Sequence, residues 1–132
     1  MEDGANLKGR RVLVVEDEFL VAMELQEVLK GRGCDVLGPA STVTQALAVL
    51  HDGRPEVVVL DVNLRGTRAT PVAAALRERG VPFVLITGYS GPQLSEPELR
   101  DAPRLDKPVN GRDLTRAVAK ALQAGQASPA SS

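Results

Sequence analysis

The chain has 132 residues, 43% of them hydrophobic, with one Tyr, two Phe and no Trp. Its 16 basic and 17 acidic side chains leave a net charge of −1 and form no basic block. Because nucleic-acid-binding domains usually carry a basic excess and stacking aromatic side chains, this composition argues against a nucleic-acid partner. The single cysteine, Cys34, excludes an internal disulfide, and no apolar run resembles a signal peptide or a membrane span. We therefore expect one cytoplasmic domain without membrane contact.

Short apolar runs alternate with helical patterns along the chain. The predicted elements are a strand at 11–15, a helix at 18–33, a strand at 34–38, a helix at 42–53, a strand at 56–61, a helix at 68–80, a strand at 81–87, a short or broken helix within 91–101, a strand at 103–106 and a helix at 110–123. This alternation predicts a doubly wound, five-stranded parallel sheet with helices on both faces. We expect a flexible lead over residues 1–9, a domain over 10–123 and a disordered tail over 124–132.

Polar side chains follow four of the predicted strands. Glu16 and Asp17 come directly after the first strand, Asp61 ends the third, Thr87 ends the fourth and Lys107 follows the fifth. In a doubly wound sheet, sites form beyond the carboxyl ends of the strands near the point where the strand order reverses. We therefore expect these five side chains to converge at one edge of the sheet.

The expected cluster combines acids with a hydroxyl group and an ammonium group. Carboxylates that lie close together repel, and a hard divalent cation such as Mg²⁺ relieves the repulsion through an oxygen-only coordination shell. Thr87 and Lys107 could neutralise the oxygens of a transferring phosphoryl group, and Asp61 could act as its nucleophile. Taken singly, each residue is better explained without a function: as a solvated strand end, a turn residue, an ordinary strand residue or a surface cation. The combination at four strand ends favours a functional site.

The sequence resembles the receiver domain of bacterial two-component response regulators over about residues 10–123. The matching motifs are VLVVEDE (12–18), VVVLDVNLRG (57–66), VLITGYS (84–90) and LDKPV (105–109). The resemblance implies a flavodoxin-like (βα)5 fold and a phosphoryl group accepted by Asp61 from a histidine kinase or phosphotransfer protein. Phosphorylation would switch a surface that binds a downstream protein target. The chain would then be no enzyme beyond catalysing its own phosphoryl transfer and slow self-dephosphorylation.

The same resemblance implies roles for the residues around Asp61. Glu16, Asp17, Asp61 and the backbone carbonyl of Asn63 would hold Mg²⁺. Thr87 would donate a hydrogen bond to the phosphoryl group and Lys107 would pair with it. The bond between Lys107 and Pro108 would be cis.

Two positions depart from the usual receiver pattern. Arg104 stands three residues before Lys107, where most receivers carry the Tyr or Phe that rotates inward on activation. The segment after Thr87 reads Gly88-Tyr89, which resembles a receiver subgroup found alone or attached to sensor kinases in alphaproteobacteria. Gly88 matches a position that is kept small beside the phosphoryl group. We consider two roles for Tyr89: a gate that replaces the missing aromatic residue, or a surface contact for a partner.

Three other functions remain to be weighed. A pseudo-receiver that binds partners without phosphorylation is the main rival, because Arg104 replaces the switch aromatic. A haloacid-dehalogenase-type hydrolase would need a second Asp where Asn63 stands, and a P-loop switch would need a Gly-Lys-Ser/Thr loop that the sequence lacks. Nothing around the single histidine, His51, resembles a kinase. The sequence leaves open whether the chain acts alone or belongs to a hybrid kinase.

Overall fold

The computed structural model describes residues 7–88 and 96–127. The elements in chain order are β1 (Arg11–Val15), α1 (Phe19–Gly31), β2 (Asp35–Ala40), α2 (Val43–Gly53), β3 (Val57–Asp61), β4 (Asn63–Leu64), β5 (Thr67–Arg68), α3 (Thr70–Arg79), β6 (Phe83–Thr87), α4 (Pro97–Arg100), β7 (Arg104–Asp106) and α5 (Gly111–Ala127). Five of the strands form one parallel sheet in the order β2-β1-β3-β6-β7. The predicted doubly wound sheet is therefore confirmed.

The two faces of the sheet bury separate hydrophobic clusters. Val58 and Leu60 of β3 face the cluster that includes residues of α2, α3 and α4, whereas Val57 and Val59 face the cluster that includes residues of α1 and α5. Every residue of β3 and β6 is buried. A strand covered on both faces reads as a continuous apolar run, which is why EVVVLD shows no alternation of polar and apolar residues.

Both ends of the domain extend beyond the predicted limits. Leu7 is fully buried in the α1/α5 cluster, and the N–H of Gly9 donates to the carbonyl of Gly33 at 2.8 Å. The predicted flexible lead is therefore wrong for residues 7–9, because the apolar side chain of Leu7 anchors it. Helix α5 continues to Ala127, so the predicted tail is wrong for 124–127.

Two smaller features also differ from the prediction. Strand β2 runs on to Ala40, beyond the expected end at 38, and its Gly38–Pro39 peptide bond is cis. A two-residue hairpin, β4 and β5, follows β3 and was not predicted. Its central residues, Arg65 and Gly66, have φ angles of 53° and 81°, as a type I′ hairpin turn requires.

The strand order reverses between β1 and β3. The chain leaves β1 for β2 on one side and later returns to place β3 on the other side of β1. The carboxyl ends of β1, β3 and β6 therefore lie side by side at the position where doubly wound sheets bind ligands. In the described part of the chain, no helix is both long enough and apolar enough to cross a membrane.

Candidate functional site

Asp61 and Lys107 lie in direct contact at this edge of the sheet. Asp61 is the last residue of β3 and is only 5% exposed, and its Oδ2 atom lies 3.1 Å from Nζ of Lys107. Its other oxygen, Oδ1, accepts a hydrogen bond from the backbone N–H of Asn63 at 3.1 Å. Both oxygens of the predicted nucleophile are thus held by donors, which fixes the orientation of the carboxylate.

Lys107 contacts three carboxylates at once. Its Nζ atom donates to Oδ2 of Asp61 at 3.1 Å, to Oε2 of Glu16 at 3.2 Å and to Oε1 of Glu18 at 2.9 Å. Burial lowers the pKa of this ammonium group, but the hydrogen bonds to Glu18, Asp61 and Glu16 raise it by more, so the net pKa lies above its usual value. Lys107 therefore remains a cation at any physiological pH.

Glu16 is a buried acid in an unfavourable environment. Its side chain is 1% exposed, and its Oε2 accepts a hydrogen bond from the backbone N–H of Glu18 at 3.0 Å. Oε1 lies 3.1 Å from Nζ of Lys107 but, among the described residues, makes no hydrogen bond of acceptable geometry. Burial raises the pKa of Glu16 to about 7, and the neighbouring carboxylate of Asp61 also raises it, against the lowering effect of the Glu18 N–H and Lys107.

Three acids converge closely enough to share one metal ion. Glu16, Asp17 and Asp61 each offer one carboxylate oxygen, and these oxygens lie within 4.8 Å of one another. Asp17 is held there by the backbone N–H of Arg65, which donates to its Oδ2 at 3.0 Å. The poorly satisfied Oε1 of Glu16 is a further reason to expect a cation, because a buried carboxylate oxygen without a donor is costly. The donor set is all oxygen, which fits Mg²⁺.

Thr87 and Lys107 are connected through the backbone. Thr87 ends β6 and is 5% exposed, and its carbonyl accepts a hydrogen bond from the N–H of Lys107 at 2.9 Å. Asp106 pairs with Thr87 in the sheet register, so the edge strand β7 positions Lys107 beside β6. The peptide bond from Lys107 to Pro108 is cis.

The remaining predicted site residues lie at the margin of this cluster. Arg104 begins β7 and is exposed. Gly88 is also exposed, and a Cβ atom added there would contact no described atom within 4 Å. Asn63 contributes its N–H to Asp61, whereas the metal-binding role of its carbonyl stays a prediction. Tyr89 lies outside the described residues, so its role as a gate also stays a prediction.

Sequence reasoning missed two participants. The sequence assigns no role to Glu18, but its carboxylate contacts Lys107. Arg65 reaches Asp17 through its backbone N–H, a contact that no side-chain pattern announces. The signal for Arg65 was Gly66 in the NLRG sequence, since glycine readily supplies the positive φ angle of a two-residue hairpin turn. For Glu18, the third acid of the EDE run was the available signal.

Comparison with known proteins agrees with this geometry. Residues 12–119 match the response regulator receiver domain, so the chain belongs to that family. The transcriptional regulatory protein PdtaR of Mycobacterium tuberculosis is 32% identical over 117 residues, which cover 86% of this chain and 57% of PdtaR. The solution structure of SdrG from Sphingomonas melonis Fr1 is 42% identical with a TM-score of 0.72, covering 89% of this chain and 97% of SdrG. The response regulator PhyR from Brucella abortus is 26% identical with a TM-score of 0.83, covering 98% of this chain and 54% of PhyR.

The chain thus spans little more than half the length of PdtaR and of PhyR. The similarity concerns the receiver part of those proteins, and it identifies this chain as a response regulator receiver domain. The activities and partners of the longer proteins are not carried over by this match.

Proposed function

We propose that this chain is a phosphoacceptor receiver that takes a phosphoryl group onto Asp61 from a histidine kinase or phosphotransfer protein. One observation carries the proposal: Asp61 lies 3.1 Å from the Lys107 ammonium group, with oxygens of Glu16 and Asp17 close enough to share a cation with it. The raised pKa of the buried acid Glu16, about 7, also supports a functional site, because acids with perturbed pKa values cluster at such sites.

The chemistry is a single displacement at phosphorus. A carboxylate oxygen of Asp61 attacks the phosphorus atom in line with the P–N bond of the donor phosphohistidine. The new P–O bond forms as the P–N bond breaks, and the electron pair stays with the ring nitrogen. The donor leaves as neutral imidazole when its other nitrogen carries a proton. Lys107 neutralises charge on the transferred oxygens, and the hydroxyl of Thr87, at the end of β6, donates a hydrogen bond to one of them.

Glu16, Asp17 and Asp61 are the residues that would hold Mg²⁺, with the carbonyl of Asn63 as a further oxygen ligand. When bound, the ion supplies electrostatic stabilisation of the charge on the phosphoryl oxygens. It also removes the mutual repulsion of the three acids, so metal binding and phosphoryl acceptance should depend on the same side chains.

The output of such a switch is a protein contact. The new charge at Asp61 would recruit Thr87 and Lys107 and shift the surface around β6 and β7 between two arrangements. The Thr87-Gly88-Tyr89 sequence supports assignment to the receiver subgroup with this loop, and the 42% identity to SdrG is in keeping with that assignment. A cytoplasmic chain that catalyses only its own phosphorylation and slow dephosphorylation fits this role.

Intact-mass spectrometry tests the proposal directly. The chain is incubated with acetyl phosphate and Mg²⁺, and wild type is compared with Asp61→Asn. We expect one added phosphoryl group in wild type and none in the variant, and we expect EDTA to abolish the gain. No added phosphoryl group in wild type, or an equal gain in Asp61→Asn, would refute phosphoacceptance at Asp61.

The same measurement separates the main alternative, a pseudo-receiver that binds partners without phosphorylation. Exposed Arg104 at the usual position of the switch aromatic is the feature that favours this alternative. A pseudo-receiver would show no mass gain in wild type and would bind its partner equally well as Asp61→Asn.

A further inference from the structure

The ammonium group of Lys107 has no hydrogen left for a phosphoryl oxygen. A lysine side chain carries three N–H donors, and the Nζ of Lys107 already contacts Asp61, Glu16 and Glu18 at 2.9–3.2 Å. If Lys107 pairs with a phosphoryl group on Asp61, one of these three carboxylates must leave it. The question is which contact is given up.

Two of the three carboxylates are poorly placed to leave. Asp61 is the nucleophile, is buried at the end of β3 and stays in place throughout the transfer, and its carboxylate charge passes to the phosphoryl group only once the P–O bond has formed. Glu16 is 1% exposed and is held by the backbone N–H of Glu18 at 3.0 Å. Withdrawing a buried carboxylate from a cation without giving it water is expensive, since the desolvated charge then lacks compensation.

Glu18 differs from Asp61 and Glu16 because its carboxylate is exposed and is not held in place by a second donor among the described residues. Its side chain is 60% exposed, so its carboxylate regains water on leaving Lys107. Its backbone is fixed by the N–H contact to Glu16 and by its carbonyl, which accepts from the N–H of Ala22 at 2.9 Å. The side chain itself makes no capping hydrogen bond although Glu18 is the N-cap residue of α1. Lys107 is the one described partner of this carboxylate, so a rotation of the side chain is enough to release it.

We propose that Glu18 competes with the incoming phosphoryl group for Lys107 and thereby sets the rate at which Asp61 is phosphorylated. The inference rests on the proposed phosphoacceptor function and adds a positioning residue to it. Glu18 holds the lysine at the mouth of the site before transfer and then yields it to the phosphoryl oxygens. The exchange replaces the exposed ion pair between Lys107 and Glu18 by an ion pair between Lys107 and the phosphoryl group, which lies deeper in the site.

Rates of phosphorylation by acetyl phosphate at saturating Mg²⁺ test this role. Glu18→Gln removes the charge, and Glu18→Asp keeps the charge but shortens the side chain by one methylene group. Asp is also a good N-cap residue, so it is drawn toward the start of α1 rather than toward Lys107. An exposed ion pair is worth up to about 1 kcal/mol, so both variants should be phosphorylated about two- to fivefold faster than wild type. Glu27→Gln, an exposed acid further along α1, should match wild type.

The pattern across variants separates competition from a simple change in net charge. If Glu18 merely repels the anionic donor, Glu18→Gln is faster whereas Glu18→Asp keeps the wild-type rate, and the inference fails. A double-mutant cycle with Lys107→Met gives a second readout that a structural role would not produce. In the Lys107→Met background, Glu18→Gln should change the rate by less than about 1.5-fold, because the two residues act through one contact.

Failure of the inference is distinguishable from failure of the proposed function. If wild type gains no phosphoryl group at all, the phosphoacceptor function is wrong and the role of Glu18 falls with it. If wild type is phosphorylated at the same rate as both Glu18 variants, only the competition is wrong. An undiminished effect of Glu18→Gln in the Lys107→Met background would likewise overturn it.

Discussion

Replacing Glu16 by Gln should stabilise the fold in metal-free buffer at neutral or alkaline pH. Burial raises the pKa of Glu16 from 4.5 to about 7, and the nearby carboxylate of Asp61 adds to the rise more than Lys107 reduces it. The charged form of Glu16 is therefore less stable in the folded protein than in the unfolded chain. Gln keeps the shape of the side chain and removes that charge.

The expected gain follows from the difference between the two pKa values. A change from 4.5 to about 7 corresponds to about 3 kcal/mol, since each tenfold change in proton affinity is about 1.4 kcal/mol. Gln also forfeits the ion pair with Lys107, so we expect the free energy of unfolding to rise by about 1–3 kcal/mol. Below pH 4.5 Glu16 is protonated in both states. Between pH 4.5 and 7 the folded state binds more protons, so wild-type stability falls as pH rises and the advantage of Gln grows until about pH 7.

Urea unfolding followed by circular dichroism in EDTA, at pH 4.5 and at pH 8, measures this effect. Glu56→Gln is the matched control, because the pKa of Glu56 is lowered. The hydrogen bond from the backbone N–H of Arg11 lowers it most, the charge of Arg10 lowers it further, and partial burial opposes both effects. Its contribution to stability is present above pH 4.5 and is lost as pH falls through the lowered pKa, so Glu56→Gln should destabilise the protein at pH 8. If Glu16→Gln also proved less stable than wild type at pH 8, the reasoning about buried Glu16 would be wrong.

The effect of Mg²⁺ on the free energy of unfolding gives a second comparison between wild type and Glu16→Gln. An ion held by Glu16, Asp17 and Asp61 binds only the folded state, so adding Mg²⁺ should raise the stability of wild type more than that of Glu16→Gln. The advantage of Gln should therefore shrink or reverse in Mg²⁺ at pH 8. An equal gain in the two proteins would show that Glu16 is no ligand.

Three further predictions concern the rest of the domain. Leu7→Ala should lower the free energy of unfolding by about 2–4 kcal/mol, measured in urea, because the side chain is fully buried. Cys34 should react slowly with a thiol reagent at pH 8 until urea unfolds the protein, since burial raises its pKa and blocks access. Gly38→Ala should lower the melting temperature more than Gly66→Ala, although both residues have positive φ angles. At Gly38 a Cβ atom would lie 2.8 Å from the carbonyl oxygen of Val14, whereas at Gly66 it would meet no described atom within 4 Å.

The sheet could be predicted because its central strands, β1, β3 and β6, are buried on both faces. The runs VLVV and VVVL carry almost no polar residue, and turn or cap residues separate them from the helical patterns, so strand type and order followed from the sequence. The ends of the domain could not be predicted in the same way. Whether Leu7 packs or frays depends on space left by Leu29 and Cys34, which is a tertiary property that no local pattern records.

The site was predictable as a set of residues but not as a set of contacts. Parallel strands bring their carboxyl ends to one edge, so acids after β1 and β3 had to lie near the residue after β7. The distances to Lys107 depend on side-chain rotation, and the sequence does not specify it. For that reason Glu18 could not be assigned from its type: an acid before a helix can cap the helix, face water or reach across to another strand.

The three consecutive acids after β1 make different contacts and therefore have different roles. Glu16 continues the inward direction of the strand, is buried and raises the local demand for a cation. Asp17 turns toward the hairpin and is held by the N–H of Arg65, and Glu18 lies on the solvent side of Lys107. Three like charges in sequence are tolerated because donors face each of them: the Glu18 N–H and Lys107 face Glu16, the Arg65 N–H faces Asp17, and Lys107 also faces Glu18. A substitution at Glu16 or Asp17 should therefore change metal affinity, with a further effect on stability for Glu16, whereas a substitution at Glu18 should change the phosphorylation rate.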